Sequence, residues 1–198
     1  MTEPKVIGIV LFDGVEELDA VGPYEVLAYW TLNHPDDGYR TITLSPDGQV
    51  VTCAKGMRIL PDHSFADAPE LDVVLHPGGQ GTRRLMRAAD HLDQVRAWSA
   101  RAELMTSVCT GSLVYAAAGL LRDRPATTHW GAIDQLREAD PSVRIDEKAR
   151  FVDDVTVVTS AGVSAGIDMA LHLVSRLSFH DRAVAVRRGI QYDPEPPV

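Results

Sequence analysis

Cys109 stands between an apolar run that ends at Val108 and a segment of small residues that includes Thr110, Gly111 and Ser112. A nucleophile held on a sharp turn between a strand and a helix needs small neighbours, because its backbone is strained and the turn is crowded. The start of the following helix directs N–H groups at the sulfur, which predicts a lowered thiol pKa and a reactive thiolate. The alternative is a buried cysteine that packs as a small hydrophobic residue. The local pattern leaves both open.

Asp19 is the carboxyl best suited to act with a thiol. It lies between Leu18 and Ala20 in the segment EELDAVGPYEVL. Apolar neighbours predict desolvation, which would keep this carboxyl protonated at neutral pH and able to donate a proton to a sulfur. The preceding Glu16 and Glu17 are expected to be exposed, where their negative charges would stabilise the N-terminus of the helix.

Two further segments offer polar groups to the same site. Gly78 and Gly79 follow an apolar run, and their freedom of backbone angle permits a close approach to a ligand. The N–H groups of these two glycines, together with that of Thr110, would then form an oxyanion-type site, although a simple tight turn explains the glycines as well. His129, in ATTHW, is expected to be a packed, hydrogen-bonded residue rather than a catalytic base, and it is also a candidate for substrate binding.

Other site types lack support in the sequence. Cys53 has no comparable context and is interpreted as structural, and two cysteines do not make a disulfide framework. No phosphate-binding glycine motif occurs. No metal-ligand spacing is found among the remaining histidines, His34, His63, His76, His91, His172 and His180.

The composition is that of a single globular domain over residues 1–198, with 45% hydrophobic and 24% charged residues. A formal net charge of -9 argues against nucleic-acid binding, which needs a basic surface. Residues 113–121 form the longest apolar stretch and are too few to cross a membrane. The N-terminus lacks a basic region and a cleavage site, so a cytoplasmic location is expected.

Apolar runs alternate with helical spacing along the chain. Strands are predicted at residues 5–12, 39–44, 71–76 and 103–108, a small β excursion at 49–60, and a hairpin at 150–159 that turns at Asp153-Asp154. Helices are predicted at residues 19–32 with Pro23 in the first turn, 83–101, 110–121, 130–139 and 164–179, with a short helical piece before the Pro-rich tail.

This alternation predicts an α/β fold with a mostly parallel central sheet and helices on both faces. In such sheets the site lies outside the carboxyl ends of the strands. The loops at residues 13–19, 76–81 and 109–111 are therefore expected to meet, which would bring Asp19, Gly79 and Cys109 together.

Five segments together resemble the DJ-1/PfpI superfamily, and most of all its isonitrile hydratase branch. They are GIVLFDGVEELDAVGPYEVL, LDVVLHPGGQG, TSVCTGSLVYAAAGLL, ATTHW and SAGVSAGIDMAL, and they span nearly the whole chain. The resemblance implies a flavodoxin-like three-layer sandwich with a cysteine nucleophile elbow. It also implies a homodimer, no metal or organic cofactor, and a small-molecule substrate, an isonitrile, that a lyase hydrates to an N-substituted formamide.

The resemblance also implies roles for individual residues. The family nucleophile falls on Cys109 and its acidic partner on Asp19, while Thr110 is implicated in the hydration. The resemblance implies that the oxyanion donors are the N–H groups of Gly79 and Thr110. The proteases of the superfamily place histidine directly after the cysteine, where this sequence has Thr110, so proteolysis is not expected. Glyoxalase-like members carry glutamate as the acidic partner, where this sequence has Asp19.

Two other functions remain as alternatives. The same scaffold could support glyoxalase-like hydration of dicarbonyls, or redox sensing through a sulfenic acid on Cys109. The domain also resembles the small-molecule sensor half of AraC-type regulators. Because the sequence ends at Val198 with no helix-turn-helix segment, we expect the regulator interpretation to be the minor one.

Overall fold

The computed structural model describes residues 3–195 and has an α/β architecture. Within these residues the strands are β1 (Lys5–Val10), β2 (Tyr39–Ser45), β3 (Val51–Thr52), β4 (Arg58–Ile59), β5 (His63–Ser64), β6 (Val73–His76), β7 (Leu104–Val108), β8 (Pro125–Ala126), β9 (Arg144–Ile145), β10 (Phe151–Asp154) and β11 (Val157–Ser160). The helices in the same range are α1 (Glu17–Asn33), α2 (Thr82–Leu85), α3 (Ala89–Ser99), α4 (Gly111–Ala117), α5 (Ile133–Ala139), α6 (Ala165–Leu177) and α7 (His180–Gly189).

The central sheet has the strand order β10-β11-β7-β6-β1-β2-β5 among the described residues. All its pairings are parallel except that of β10 with β11. Counted along the chain, its five inner strands follow the order 2-1-3-4-5, which is the flavodoxin-like arrangement. The order reverses between β1 and β6, and the loops that leave β1, β6 and β7 therefore open at one edge of the sheet. The predicted fold class is confirmed.

Helices cover both faces of the sheet because its inner strands are apolar on both sides. Helices α1, α6 and α7 pack against one another, and α4 packs with α2, α3 and α5. Strands β1, β6, β7 and β11 are almost fully buried, as expected for a parallel sheet covered on both faces. Trp30 and Tyr115 are among the largest side chains that are fully buried in the core.

The predicted helix at residues 83–101 is wrong as a single element. The chain forms the short α2 and then α3, and Ala88 between them is extended, with φ −90° and ψ 106°. Helical spacing of apolar residues continues across this break, so periodicity alone does not reveal it.

The predicted hairpin at residues 150–159 is confirmed, but its turn is at Val155 and Thr156. Val155 has a positive φ of 58°, whereas Asp153 and Asp154 are the last residues of β10. Their carboxylates accept hydrogen bonds from outside the strand, Asp153 from Arg176 and Asp154 from Arg124. These ion pairs explain why both acidic residues stay in the strand.

Helix boundaries also differ from those predicted. Helix α1 begins at Glu17, so Pro23 lies in its interior rather than in the first turn. Helix α4 is shorter than residues 110–121, because the chain leaves the helix before Gly119, which has a φ of 84°. None of the helices in residues 3–195 combines the length and apolar character needed to span a bilayer.

Candidate active site

Cys109 occupies a strained turn at the carboxyl end of β7. Its φ is 56°, a left-handed backbone conformation that residues other than glycine rarely adopt. Its N–H donates to the carbonyl oxygens of Ser160 and Ala161, at 3.0 and 3.1 Å. Its own carbonyl accepts from the hydroxyls of Ser112 and Thr128, at 3.0 and 2.9 Å. Both ends of the residue are therefore held, which sustains the strain and fixes the direction of the side chain.

Gly111, the first residue of α4, allows this turn to lie against the end of β6. A Cβ at Gly111 would stand 2.1 Å from the carbonyl oxygen of His76, a distance that no side chain tolerates. The small residues that suggested an elbow in the sequence are therefore required by the approach of two chain segments. The predicted turn between strand and helix is confirmed.

Asp19 lies in the first turn of α1 and is fully buried beside the elbow. Its Oδ2 accepts a hydrogen bond of 3.0 Å from the N–H of Gly78. Its Oδ1 has no well-formed hydrogen bond among residues 3–195. The Cys109 thiol lies close enough for each group to shift the pKa of the other. One oxygen of the carboxyl is therefore fixed by the main chain, and the other is buried without a partner among the described residues.

Burial dominates the proton affinity of both groups. Desolvation raises the pKa of Asp19 to about 7. The hydrogen bond from the N–H of Gly78 acts in the opposite direction, because it favours the carboxylate. The expected desolvation of this carboxyl is confirmed. Burial, followed by the negative charge of Asp19, raises the pKa of the Cys109 thiol to about 12. The expected lowering of this pKa by the helix is wrong, because α4 has only seven residues and Cys109 is buried, at 6% exposed.

Two main-chain N–H groups do favour a negative sulfur, namely those of Thr110 and Val163. The expected pair was Gly79 and Thr110, and the assignment of Gly79 is wrong. The N–H of Gly79 donates to the hydroxyl of Thr110 at 2.9 Å and is therefore occupied. The N–H of Gly78 is engaged by Asp19 in the same way.

The hydroxyl of Thr110 is the centre of a buried network that holds the loop after β6. Besides the N–H of Gly79, it accepts from the hydroxyl of Thr82 at 3.1 Å and lies 3.2 Å from the carbonyl oxygen of Gly79. Thr110 is 3% exposed and Thr82 is fully buried. With these partners the hydroxyl is occupied, so its contacts are those of a residue that fixes the loop.

Gly79 itself is required by its backbone. Its φ is 121°, and a Cβ there would stand 2.3 Å from the main-chain nitrogen of Glu16 and 2.4 Å from the carbonyl oxygen of Gly14. The loops after β1 and β6 thus touch through their main chains. This contact brings the Asp19 loop to the elbow.

His129 lies at the edge of the site and is partly buried. Its Nδ1 accepts a hydrogen bond of 3.0 Å from the N–H of Gly131, which caps the turn that begins at Trp130. Its ring packs on Gly162, where a Cβ would stand 2.3 Å from the ring. Since Gly162 precedes Val163, the histidine borders the segment that faces the sulfur.

Glu16 and Glu17 are not exposed as expected. Their side chains retain 19% and 16% of their accessible surface. The turn of the β3–β4 hairpin covers them, since the N–H of Lys55 donates to Glu17 at 2.6 Å and its ammonium pairs with Glu16. The hairpin also docks on the first loop through the N–H of Ala54, which donates to the carbonyl of Val15.

Two residues of the site are not indicated by the sequence, and a third has a role that differs from the one expected. Val163 faces the sulfur from the loop after β11, and Thr82 completes the network of Thr110. Gly78, expected beside a ligand, holds Asp19. Val163 carries one visible signal, a position after the strand that pairs with β7. In residues 3–195 no cluster of three or more His, Cys, Asp or Glu side chains could hold a metal ion.

Comparisons with known proteins agree with this geometry. A model of the DJ-1/PfpI family matches residues 5–176, which include all three loops of the site. Isonitrile hydratase from Pseudomonas putida is 42% identical over 192 residues, which cover 96% of this chain and 80% of that protein. The HTH-type transcriptional regulator GbdR from Pseudomonas aeruginosa is 31% identical over 190 residues, and the chain spans 51% of its length.

A solved structure gives a similar result for the fold. The crystal structure of a ThiJ/PfpI family protein from Pseudomonas syringae superposes with a TM-score of 0.87 at 32% identity. The superposition covers 100% of this chain and 78% of that one.

Proposed function

The chain belongs to the DJ-1/PfpI family, and from this premise we propose that it is an isonitrile hydratase, a lyase that adds water to R–N≡C and gives the formamide R–NH–CHO. The observation that carries the proposal is the burial of the Asp19 carboxyl beside the strained turn at Cys109, where each group shifts the pKa of the other. The 42% identity to the Pseudomonas putida enzyme supports this choice within a family that also includes regulators.

In the first step the sulfur of Cys109 attacks the terminal carbon of the isonitrile. Because burial disfavours a free thiolate, the thiol proton passes to the Asp19 carboxylate while the S–C bond forms. Asp19 then delivers this proton to the same carbon, which gives the thioimidate R–N=CH–S–Cys109 with no net gain or loss of protons. The N–H groups of Thr110 and Val163 stabilise the negative charge that develops on the sulfur.

In the second step water replaces the sulfur. Asp19 accepts a proton from water while the water oxygen attacks the thioimidate carbon. Asp19 then donates this proton to the nitrogen. The S–C bond of the resulting adduct then breaks. The hydroxyl proton reaches the sulfur through Asp19, so the formamide leaves and the thiol is restored. A carboxyl with a pKa of about 7 suits both directions of transfer at neutral pH.

The restricted access to the sulfur favours an isonitrile over a dicarbonyl. Cys109 is 6% exposed, and Asp19 is fully buried behind it. An isonitrile presents a linear N≡C end with a single reacting carbon at its tip, which can enter a narrow opening. A dicarbonyl presents a trigonal carbon with two substituents and needs more room at the sulfur.

Thr110 supports this reaction by fixing the loop after β6. Its hydroxyl is bonded to Gly79 and Thr82, so we assign it a positioning role and leave the acid–base steps to Asp19. His129 is proposed to border the bound substrate, because its ring packs on the glycine that precedes Val163.

The test is turnover of cyclohexyl isocyanide beside methylglyoxal by the purified protein and by matched cysteine variants. The proposal expects formamide from the isonitrile with the parent and with Cys53→Ser, and a rate below about a thousandth of the parent's with Cys109→Ser. Turnover of methylglyoxal alone would replace the proposal by a glyoxalase. Oxidation of Cys109 by peroxide with no turnover of either compound would favour a redox sensor.

A homodimer is proposed through one apolar groove. Val21, Tyr24, Met57 and Leu60 line a cavity of about 280 Å³ between α1 and the β3–β4 hairpin, and each side chain is at least 36% exposed. Contiguous exposed apolar surface marks an association site. Because each copy carries a formal charge of -9, self-association requires a face with few charges, and this groove meets that condition.

Sedimentation velocity tests the dimer with two matched variants. Leu60→Glu should dissociate it, while a glutamate at the equally exposed Val155, on the far hairpin, should leave it intact. A parent protein that sediments as a monomer would overturn the dimer without affecting the catalytic proposal. We also propose a cytoplasmic location, since Cys53 and Cys109 are both free thiols.

A further inference from the structure

Two histidines outside the reacting pair are buried and hydrogen-bonded to each other. The Nε2 atoms of His76, at the end of β6, and His91, in α3, are 2.9 Å apart. The Nδ1 of His76 lies 2.8 Å from the carbonyl oxygen of Pro77. The ring of His76 is fully buried between Phe12 and Tyr115, with centroid distances of 5.2 and 5.9 Å, so its orientation is fixed.

The protons of this pair follow from the chemistry of its neighbours. A carbonyl oxygen can only accept, so the Nδ1 of His76 carries a proton and donates it to Pro77. Burial lowers the pKa of His76 to about 3 and that of His91 to about 4, and both rings are therefore neutral at neutral pH. The Nε2 of His76 is then a bare acceptor, and the Nε2 of His91 must donate to it.

The carbonyl that His76 holds belongs to the same peptide group as the N–H that holds Asp19. The peptide between Pro77 and Gly78 is planar, so the direction of its C=O sets the direction of its N–H. That N–H donates to Oδ2 of Asp19 at 3.0 Å. A hydrogen bond to the carbonyl also polarises the peptide and strengthens its N–H as a donor. Three hydrogen bonds and one peptide group thus connect His91 to the reacting carboxyl.

We propose that His76 and His91 are positioning residues that hold the Pro77–Gly78 peptide plane and thereby aim the Gly78 N–H at Asp19. Neither imidazole touches the reacting atoms. Their effect reaches the thiol through Asp19, because the Gly78 N–H stabilises the carboxylate that must receive the thiol proton. The identity of the substrate rests on the proposed function. The effect of the two histidines on the protonation of Asp19 and Cys109 does not depend on it.

The expected consequence is a change in the pH dependence of Cys109. The titratable groups that face Asp19 are Cys109 on the elbow, Glu16 before α1 and Lys55 on the β3–β4 turn. None of these is altered when the histidines are replaced. Loss of the aimed N–H removes a contact that favours the carboxylate, so the carboxyl should hold its proton to higher pH.

The experiment follows the rate of Cys109 alkylation by iodoacetamide against pH, read by peptide mass spectrometry, and needs no isonitrile. The parent's rate should rise with a midpoint near pH 7, where Asp19 ionises. His76→Leu and His91→Leu should each move this midpoint upward by at least about half a pH unit. His76→Asn retains a donor near the position of Nδ1, and His91→Gln retains one near Nε2, so both should restore the parent midpoint.

Phe65→Leu is the matched control, because Phe65 packs on His91 with a centroid distance of 6.2 Å but takes no part in the hydrogen bonds. Its midpoint should equal the parent's. Leucine variants that titrate like the parent would overturn the proposal, as would a shift of equal size in Phe65→Leu. If His76→Leu fails to fold, the comparison of His91→Leu with His91→Gln decides alone. A shifted midpoint in a protein that hydrates no isonitrile would retain the positioning role and reject the substrate.

Discussion

The N–H of Gly78 donates to Oδ2 of Asp19 at 3.0 Å, and this contact fixes one oxygen of the buried carboxyl. With Oδ2 engaged, Oδ1 is left without a well-formed partner in the described chain. A buried oxygen without a partner costs free energy. This unpartnered oxygen lies beside the strained Cys109, as expected for a site in which a proton is transferred.

Asp19→Asn should make the fold more stable at alkaline pH while removing turnover. Burial raises the pKa of Asp19 from 3.8 to about 7, so the folded state binds a proton that the unfolded state has released. The parent therefore loses stability as pH rises toward and through 7. At 1.36 kcal/mol per pH unit, the stability advantage of the variant should grow by about 2 kcal/mol between pH 5.5 and pH 8. Urea unfolding of both proteins at the two pH values measures it, and a pH-independent difference would contradict the assignment.

The turnover of isonitrile should fall on the acid side with a midpoint near pH 7. Below this pH the Asp19 carboxyl is protonated and cannot receive the thiol proton. The thiol itself remains protonated throughout this range, since its pKa is raised to about 12. A profile of kcat/KM between pH 5 and pH 9 tests whether Asp19 ionises at a lower pH than Cys109. A rate that rises toward low pH would show that a protonated Asp19 is the active form.

Thr110→Val should lower kcat by about tenfold to a hundredfold and reduce stability, whereas Thr110→Ser should resemble the parent. Valine leaves the partly buried N–H of Gly79 without its partner, at a cost of about 1–3 kcal/mol, whereas the hydroxyl of Thr82 keeps its hydrogen bond to the carbonyl oxygen of Gly79. Serine keeps the hydroxyl. Steady-state kinetics and thermal unfolding of the two variants check both effects. A valine variant with the parent's kcat would remove Thr110 from the account.

His129 is tested by two substitutions that differ in one contact. His129→Asn keeps an acceptor for the N–H of Gly131, while His129→Leu loses it. If His129 borders the substrate, both variants should raise KM severalfold, and only the leucine variant should lower the melting temperature. An asparagine variant with an unchanged KM would leave His129 with a capping role alone.

The sequence contained the information for the fold and for the central pair. Buried β-branched runs and the small residues after Cys109 predict the parallel sheet and the elbow, because these patterns reflect burial and crowding along the chain itself. Asp19 was found for the same reason, since its apolar neighbours indicate desolvation. Each of these features depends on residues that are close together in the chain, so a single sequence is enough to predict it.

The parts that were missed depend on contacts between distant segments. Val163 faces the sulfur only because β11 pairs with β7, and no periodicity shows which residue of its loop turns inward. The N–H of Gly79 was assigned to the wrong partner because the hydroxyl of Thr110 comes from another loop. The pKa of Cys109 was predicted with the wrong sign, because burial outweighs a helix of seven residues.

The mass of the Cys109 peptide during turnover tests directly whether the sulfur forms a covalent bond with the substrate. Parent protein mixed with excess cyclohexyl isocyanide and quenched in acid within the first turnover should carry one added isonitrile, located on the peptide of Cys109, and the label should vanish as formamide appears. Cys53→Ser should behave in the same way, and Cys109→Ser should gain no mass. Formamide released at the parent rate by Cys109→Ser would contradict the account.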